Sequence, residues 1–173
     1  MKLEIKTFPD EILRKKSEPV TEFNEDLHTL LDNMFETMYE AKGLGLAAPQ
    51  VGVSKRFFVL DDMTGENGKN PMEIINPEFI SKEGEILEEE GCLSIPGEYA
   101  YVNRYMKVKV KYQDRFGNEN IIDAEGRLSR ILQHENDHLD GSLFIDKLPP
   151  TKRETIKKHI KKRIHSGDYI VTK

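Results

Sequence analysis

The chain has 173 residues, of which 37% are hydrophobic and 33% charged, and a formal net charge of −5. That length fits a single domain over residues 1–173 with a sizeable core, and the net acidity argues against nucleic acid as the main partner of the whole chain. One cysteine cannot close an intramolecular disulfide, Met1 to Lys6 hold no apolar signal core, and no run approaches the roughly 20 apolar residues that span a bilayer, so a reducing, cytoplasmic setting without membrane contact is expected.

The first clear element covers residues 25–41. Leu27, Leu30, Leu31, Met34, Phe35, Met38 and Tyr39 recur at spacings of three and four, which predicts an amphipathic helix capped by Asn24 and stopped at Gly43. Gly43-Leu44-Gly45-Leu46-Ala47-Ala48-Pro49-Gln50 follows, a run of small residues that lets backbone approach a ligand closely. Phe57 to Leu60 reads as a buried strand, and the polar stretch from Asp61 to Met72 as a mobile loop. Glu73 to Ile80 and Gly84 to Glu89 are short strands. Tyr99 to Asn103, Met106 to Gln113 and Asn118 to Asp123 are expected to form a meander. Within it Val108, Val110 and Tyr112 alternate with lysines, and Arg115 to Asn118 make the turn.

A second helix is predicted from Gly126 to Asp140, with Leu128, Ile131, Leu132 and Leu139 as its buried stripe and Gly141 as its stop. After Pro149-Pro150 a last helix runs from Thr151 to His165. Ile156, Ile160 and Ile164 would dock it, and it carries seven Lys or Arg residues against one Glu. The absence of regular strand–helix alternation points to an α+β fold.

The second helix carries the chemistry. His134 and His138 stand four positions apart, so both imidazoles face one side and can reach one metal ion, with Glu135 placed to work on a water bound there. A catalytic metal site of this kind usually takes three protein ligands and leaves a position for water. Downstream candidates for the third are Glu154, His159 and His165. Upstream, the sole cysteine, Cys92, sits in Glu89-Glu90-Gly91-Cys92-Leu93-Ser94-Ile95-Pro96-Gly97, a stretch with the look of specially shaped backbone, and its thiolate suits iron, nickel or zinc. His28, His159 and His165 otherwise read as surface residues.

The segments at 43–50, 90–94 and 133–138, in that order, together resemble the three signature motifs of peptide deformylases. The flanks fit as well, from Phe8-Pro9-Asp10 to Pro19-Val20 and from Leu139 to Asp146, so the resemblance covers roughly residues 3 to 165. It implies antiparallel sheets wrapped around a central helix that bears the metal motif. It implies Cys92, His134 and His138 as ligands of one divalent ion, Fe(II) in the cell and Zn(II) or Ni(II) possible as purified. It implies Glu135 as the base and later the acid, and Gln50 and the backbone N–H of Leu93 as donors to the developing oxyanion. The substrate would be the N-formylmethionyl end of a nascent peptide and the product formate. Leu44, Ile131 and the stems of Arg127 and Arg130 would line the methionine pocket, and the backbone near Gly45 and Gly97 would pair with the peptide as an added strand.

Tyr99 stands where some family members carry a basic residue, which affects only the distal peptide. Asp137 is expected to be no ligand but either a structural carboxylate or one that orients a ligand imidazole, and Glu90 with Arg104 to form a structural ion pair. The basic last helix is either a solvated face or a contact to ribosomal RNA. Two other readings stay open: a zinc peptidase completed by Glu154 or a downstream His, and a deformylase-like protein that binds without turnover.

Overall fold

The computed structural model describes residues 1–169, 171 and 172. Asn24 accepts a hydrogen bond from the Leu27 amide at 3.1 Å and so starts α1, Glu25–Glu40. Gly45–Ala47 forms β1 and Phe57–Asp61 forms β2. All five residues of β2 are buried, because the strand is covered on both faces. Phe57 and Val59 point into a core shared with α1. Phe58 and Leu60 point the other way, into a core with Ile131, Leu132 and Leu139 of α2, Arg127–Leu139. The period of two along the strand thus sends alternate side chains to two different helices.

The remaining strands are β3, Pro71–Glu83; β4, Ile86–Cys92; β5, Ile95–Arg104; β6, Lys107–Gln113; and β7, Glu119–Glu125. Five of the seven form an antiparallel sheet in the order β1-β2-β3-β6-β7, while β4 and β5 pair as a separate ribbon. The chain closes with α3, Pro150–Ser166, docked through buried Ile160 and partly buried Ile156 and Ile164 on a third core that includes Ile95, Val102 and Phe144. The fold is therefore α+β, with antiparallel sheets around α2. Trimming Ile160 to Val should cost about 0.5–1.5 kcal/mol in a denaturant titration, since its surroundings relax only partly around a lost methylene.

Two expectations are corrected. The predicted meander does not form, because β5 pairs with β4 whereas β6 pairs with β3 and β7. The corner between β5 and β6 is claimed by α2 instead. The Tyr105 amide donates to Gln133 Oε1 at 3.0 Å, and Gln133 Nε2 donates back to the Tyr105 carbonyl at 2.9 Å. Those backbone groups are unavailable for a hairpin. The loop expected from Asp61 to Met72 is shorter and tied down. Asp61 ends β2, and Pro71 and Met72 already pair with it. Buried Asp61 accepts from the amides of Met63 and Asn70, each at 2.8 Å, and Tyr39 donates its hydroxyl to it at 2.6 Å. Asp62 holds Thr64 and Asn70 in the same way.

Candidate active site

The imidazoles of His134 and His138 lie on one face of α2, next to Ile131 at the edge of its apolar stripe. Cys92 closes β4, and its sulfur lies 3.4 Å from His138 Nε2. The ligating atoms of Cys92, His134 and His138 all fall within 4.8 Å of one another, and among the described residues this is the group of His, Cys, Asp or Glu side chains able to hold one ion. Glu154, on exposed α3, pairs with Lys157. His159 donates from Nδ1 to Glu98 at 2.9 Å, and His165 is exposed, so none of the downstream candidates reaches the pair on α2. His28 is half-buried rather than on the surface, with its Nε2 2.8 Å from the Arg115 carbonyl and its ring edge-on to Phe116.

The donor set suits a metal chemically. His134 Nδ1 lies 2.9 Å from Glu90, so Nε2 is the nitrogen left to face an ion. Burial alone would lower this imidazole, but Cys92, Glu90 and Glu135 outweigh it and hold it well above its usual range in the metal-free chain, so an ion at Nε2 displaces a proton. Burial and the neighbouring His134 hold the His138 imidazole well below its usual range, hence neutral, as a ligand must be. Its buried Nδ1 has no hydrogen-bond partner among the described residues. A thiolate with two imidazoles is a strong set for zinc, iron or nickel.

Glu135 lies one position beyond His134 and is 4% exposed. Its Oε2 is 3.9 Å from His134 Nε2, and its buried Oε1 has no partner among the described residues. Burial pushes its carboxyl up to about 7, against the pull of His134. Gly45 makes room for it, since a Cβ there would sit 2.5 Å from Glu135 Oε2. Gly45→Ala should displace the carboxylate and lower kcat by roughly 10- to 100-fold, because a misplacement of about 1 Å costs up to about 100-fold. Steady-state kinetics on a formyl peptide, with metal content measured alongside, would check this.

Gln50 is buried at the end of the small-residue segment. Its Oε1 accepts from the Ala47 amide at 2.9 Å, which fixes which way the amide faces. Its Nε2 donates to Ser94 Oγ at 3.0 Å and lies 3.6 Å from Cys92 Sγ. Leu93 packs on Gly43, where an added Cβ would fall 2.7 Å from Leu93 Cδ1. A cleft of about 640 Å³ opens over this floor. Gln50, Cys92, Leu93, His134 and Glu135 line it together with Leu44, Gly45, Gly97, Arg127, Arg130 and Ile131. His138 lies beneath, 1% exposed. Tyr99, 65% exposed, stands at the mouth, with its ring where a Gly91 Cβ would go.

The pair Glu90–Arg104 exists, with two hydrogen bonds of 2.9 Å in the interior. Glu90 nonetheless does more than pair with arginine, since it is also the carboxylate that orients His134. Burial alone would raise the Glu90 carboxyl, but Arg104 and His134 outweigh it and hold it at about 2. Asp137 does not touch an imidazole. It binds Arg104 Nη1 at 2.5 Å and approaches Lys147 at 3.8 Å. Of the two roles open to Asp137 the structural one holds, and the carboxylate on the imidazole is Glu90, which arrives through the β4 register. The sequence signal for Glu90 was its place beside Cys92 in the second motif.

A family model described as polypeptide deformylase matches residues 2–154. The peptide deformylase of Thermodesulfovibrio yellowstonii is 55% identical over 92% of this chain and 96% of its own length. That of Endomicrobium trichonymphae is 51% identical over 97% of this chain and 99% of its own. The crystal structure of a peptide deformylase from Legionella pneumophila superimposes with a TM-score of 0.88 at 48% identity, covering 96% of this chain and 98% of that one.

Proposed function

Because the chain belongs to the polypeptide deformylase family, whose members hydrolyse the formyl group from the N-terminal formylmethionine of new polypeptides, we propose a division of that work among its residues. Cys92, His134 and His138 hold a divalent ion, Glu135 carries the proton, and Gln50 with the Leu93 amide receives the developing oxyanion. The observation that carries this reading is the buried Glu135 carboxyl, one oxygen unpartnered, beside three metal-binding side chains on the floor of one cleft.

The ion, when bound, supplies Lewis acidity and brings the pKa of a water down from 15.7 to about 7. Glu135 takes a proton from the attacking water and later returns it to the departing methionine nitrogen. Burial favours the protonated carboxyl and a bound ion the carboxylate, so the group is placed both to take a proton and to return it. Gln50 Oε1 is held by the Ala47 amide and its Nε2 donates to Ser94 Oγ and Cys92 Sγ, which keeps an N–H beside the sulfur, where the developing oxyanion would be received. Leu44, Ile131 and the stems of Arg127 and Arg130 form the apolar wall for the thioether. A missing methylene costs about 1–3 kcal/mol, which limits selectivity against leucine-like side chains. Gly45 and Gly97 both line the cleft, and the backbone near them is the edge a peptide would pair with as an added strand.

The ion in the cell is Fe(II), with Zn(II) or Ni(II) replacing it on purification, since the same donors suit all three. The single domain works in the cytoplasm on nascent peptides. Among the described residues no helix is long and apolar enough to cross a membrane. The exposed Lys158, Lys161 and Lys162 of α3 offer phosphates of the ribosome a contact that salt would weaken steeply.

The test is formate release from formyl-Met-Ala-Ser by protein purified without oxygen and loaded with Fe(II) or Ni(II). One formate per free amino terminus is expected. A folded, metal-loaded protein that binds the peptide and releases none would leave only the binding reading.

A further inference from the structure

The charged side chains around the cleft are not equally occupied. Glu90 is bound to Arg104, Glu88 to Arg130 and Glu98 to Arg163. By contrast, exposed Lys42 and exposed Arg127 both line the cleft, and neither has a carboxylate within 4.0 Å among the described residues. They belong to one wall. Arg127 Nη1 donates to the Asp62 carbonyl at 3.2 Å, and the neighbouring Asp61 amide donates to the Leu44 carbonyl at 2.9 Å. Leu44, two residues beyond Lys42, lines the same cleft and is itself 38% exposed.

Arg127 is also the first residue of α2, where the positive end of the helix dipole disfavours a cation. The α2 N-cap, Gly126, offers no side-chain hydrogen bond to offset this. The position is therefore poor for an arginine as a helix residue and good for one as part of the cleft. The opposite wall carries one acidic side chain with no cation within 4.0 Å among the described residues, Glu89 on β4.

We propose that Lys42 and Arg127 form a carboxylate-recognising rim that makes this chain prefer formyl peptides with Asp or Glu among the residues just after methionine. The inference rests on the deformylase reading of the same cleft and adds to it the charge class of the substrate. Apolar contact fixes the methionine, and the two cations then attract an acid and repel a base on the segment that follows.

The experiment compares kcat/KM for formyl-Met-Ala-Ser, formyl-Met-Asp-Ser, formyl-Met-Ala-Asp and the two matching lysine peptides at low ionic strength. An aspartate peptide should exceed its lysine counterpart by about tenfold, because rim charges each contribute modestly and in opposite senses for acid and base. The ratio should shrink as salt rises from about 10 mM to about 500 mM, as screening requires. It should approach one in the double variant Lys42→Gln/Arg127→Gln and invert in Arg127→Glu, whatever the absolute rates do. A wild type that releases formate equally from aspartate and lysine peptides overturns the rim and leaves the deformylase reading standing. So does a ratio that survives in the double variant. Release from none of the peptides overturns both.

Discussion

Glu135→Gln is expected to lower kcat for formate release by about 10²- to 10⁴-fold while metal content stays at one ion per chain. The amide is nearly the same size as the carboxylate, so the cradle formed by Gly45 still accepts it. What it loses is the capacity to take a proton from water and return it to the amine. KM should change little, because the carboxylate is buried at the cleft floor and, in the proposed reading, Leu44 and Ile131 rather than Glu135 hold the methionine side chain. Metal analysis separates this from a binding defect. Cys92→Ala, run beside it, should lose both the ion and the activity. An active Glu135→Gln protein would take the proton-carrying role away from this residue.

Glu90→Ala should have the second large effect, and it should appear in stability as well as in the site. Arg104 is 6% exposed and Glu90 7% exposed. Removing the carboxylate leaves a buried guanidinium with Asp137 as its remaining partner, and breaking a buried pair in this way costs about 3–5 kcal/mol. A denaturant titration of the metal-free protein reads that loss directly. The same substitution frees His134 Nδ1, so the imidazole loses its preferred tautomer and orientation, and metal affinity should fall by about 10- to 100-fold. Asp137→Ala is the informative contrast. Its carboxylate touches Arg104 from the solvent side and makes no contact with His134, so it should cost less stability and leave metal affinity near wild type. Equal metal affinities in Glu90→Ala and wild type would remove Glu90 from the site.

Helix-borne features were open to inspection in the chain itself. The stripe from Leu27 to Tyr39, the cap at Asn24 and the stripe from Leu128 to Leu139 all follow from a period of about 3.6, and the helices formed there within a residue or two. That His134 and His138 of α2 face one side needed nothing more, because i and i+4 share a face in any α-helix. Cys92 as a candidate third donor came from reading its stretch together with the other two motifs, not from periodicity, and the fold brings it within 4.8 Å of the pair.

Whatever depends on strand partners was out of reach. Alternation in Lys107 to Gln113 says that one face is buried, but it does not say which strand lies alongside. β5 pairs with β4, and between β5 and β6 Gln133 on α2 occupies the Tyr105 backbone. That pairing carries Glu90 and Arg104 into the interior, where one carboxylate serves both an arginine and a ligand imidazole. In the same way, composition counts the charges of the cleft but cannot say which are neutralised. Only the folded chain brings Arg130 to Glu88 and Arg163 to Glu98 while leaving Lys42 and Arg127 on the cleft with no carboxylate within 4.0 Å among the described residues. A sequence by itself determines what repeats along one backbone segment. Register, burial and ion pairing are settled by backbone groups and side chains far apart in the chain, and they exist only once the sheets have closed around α2.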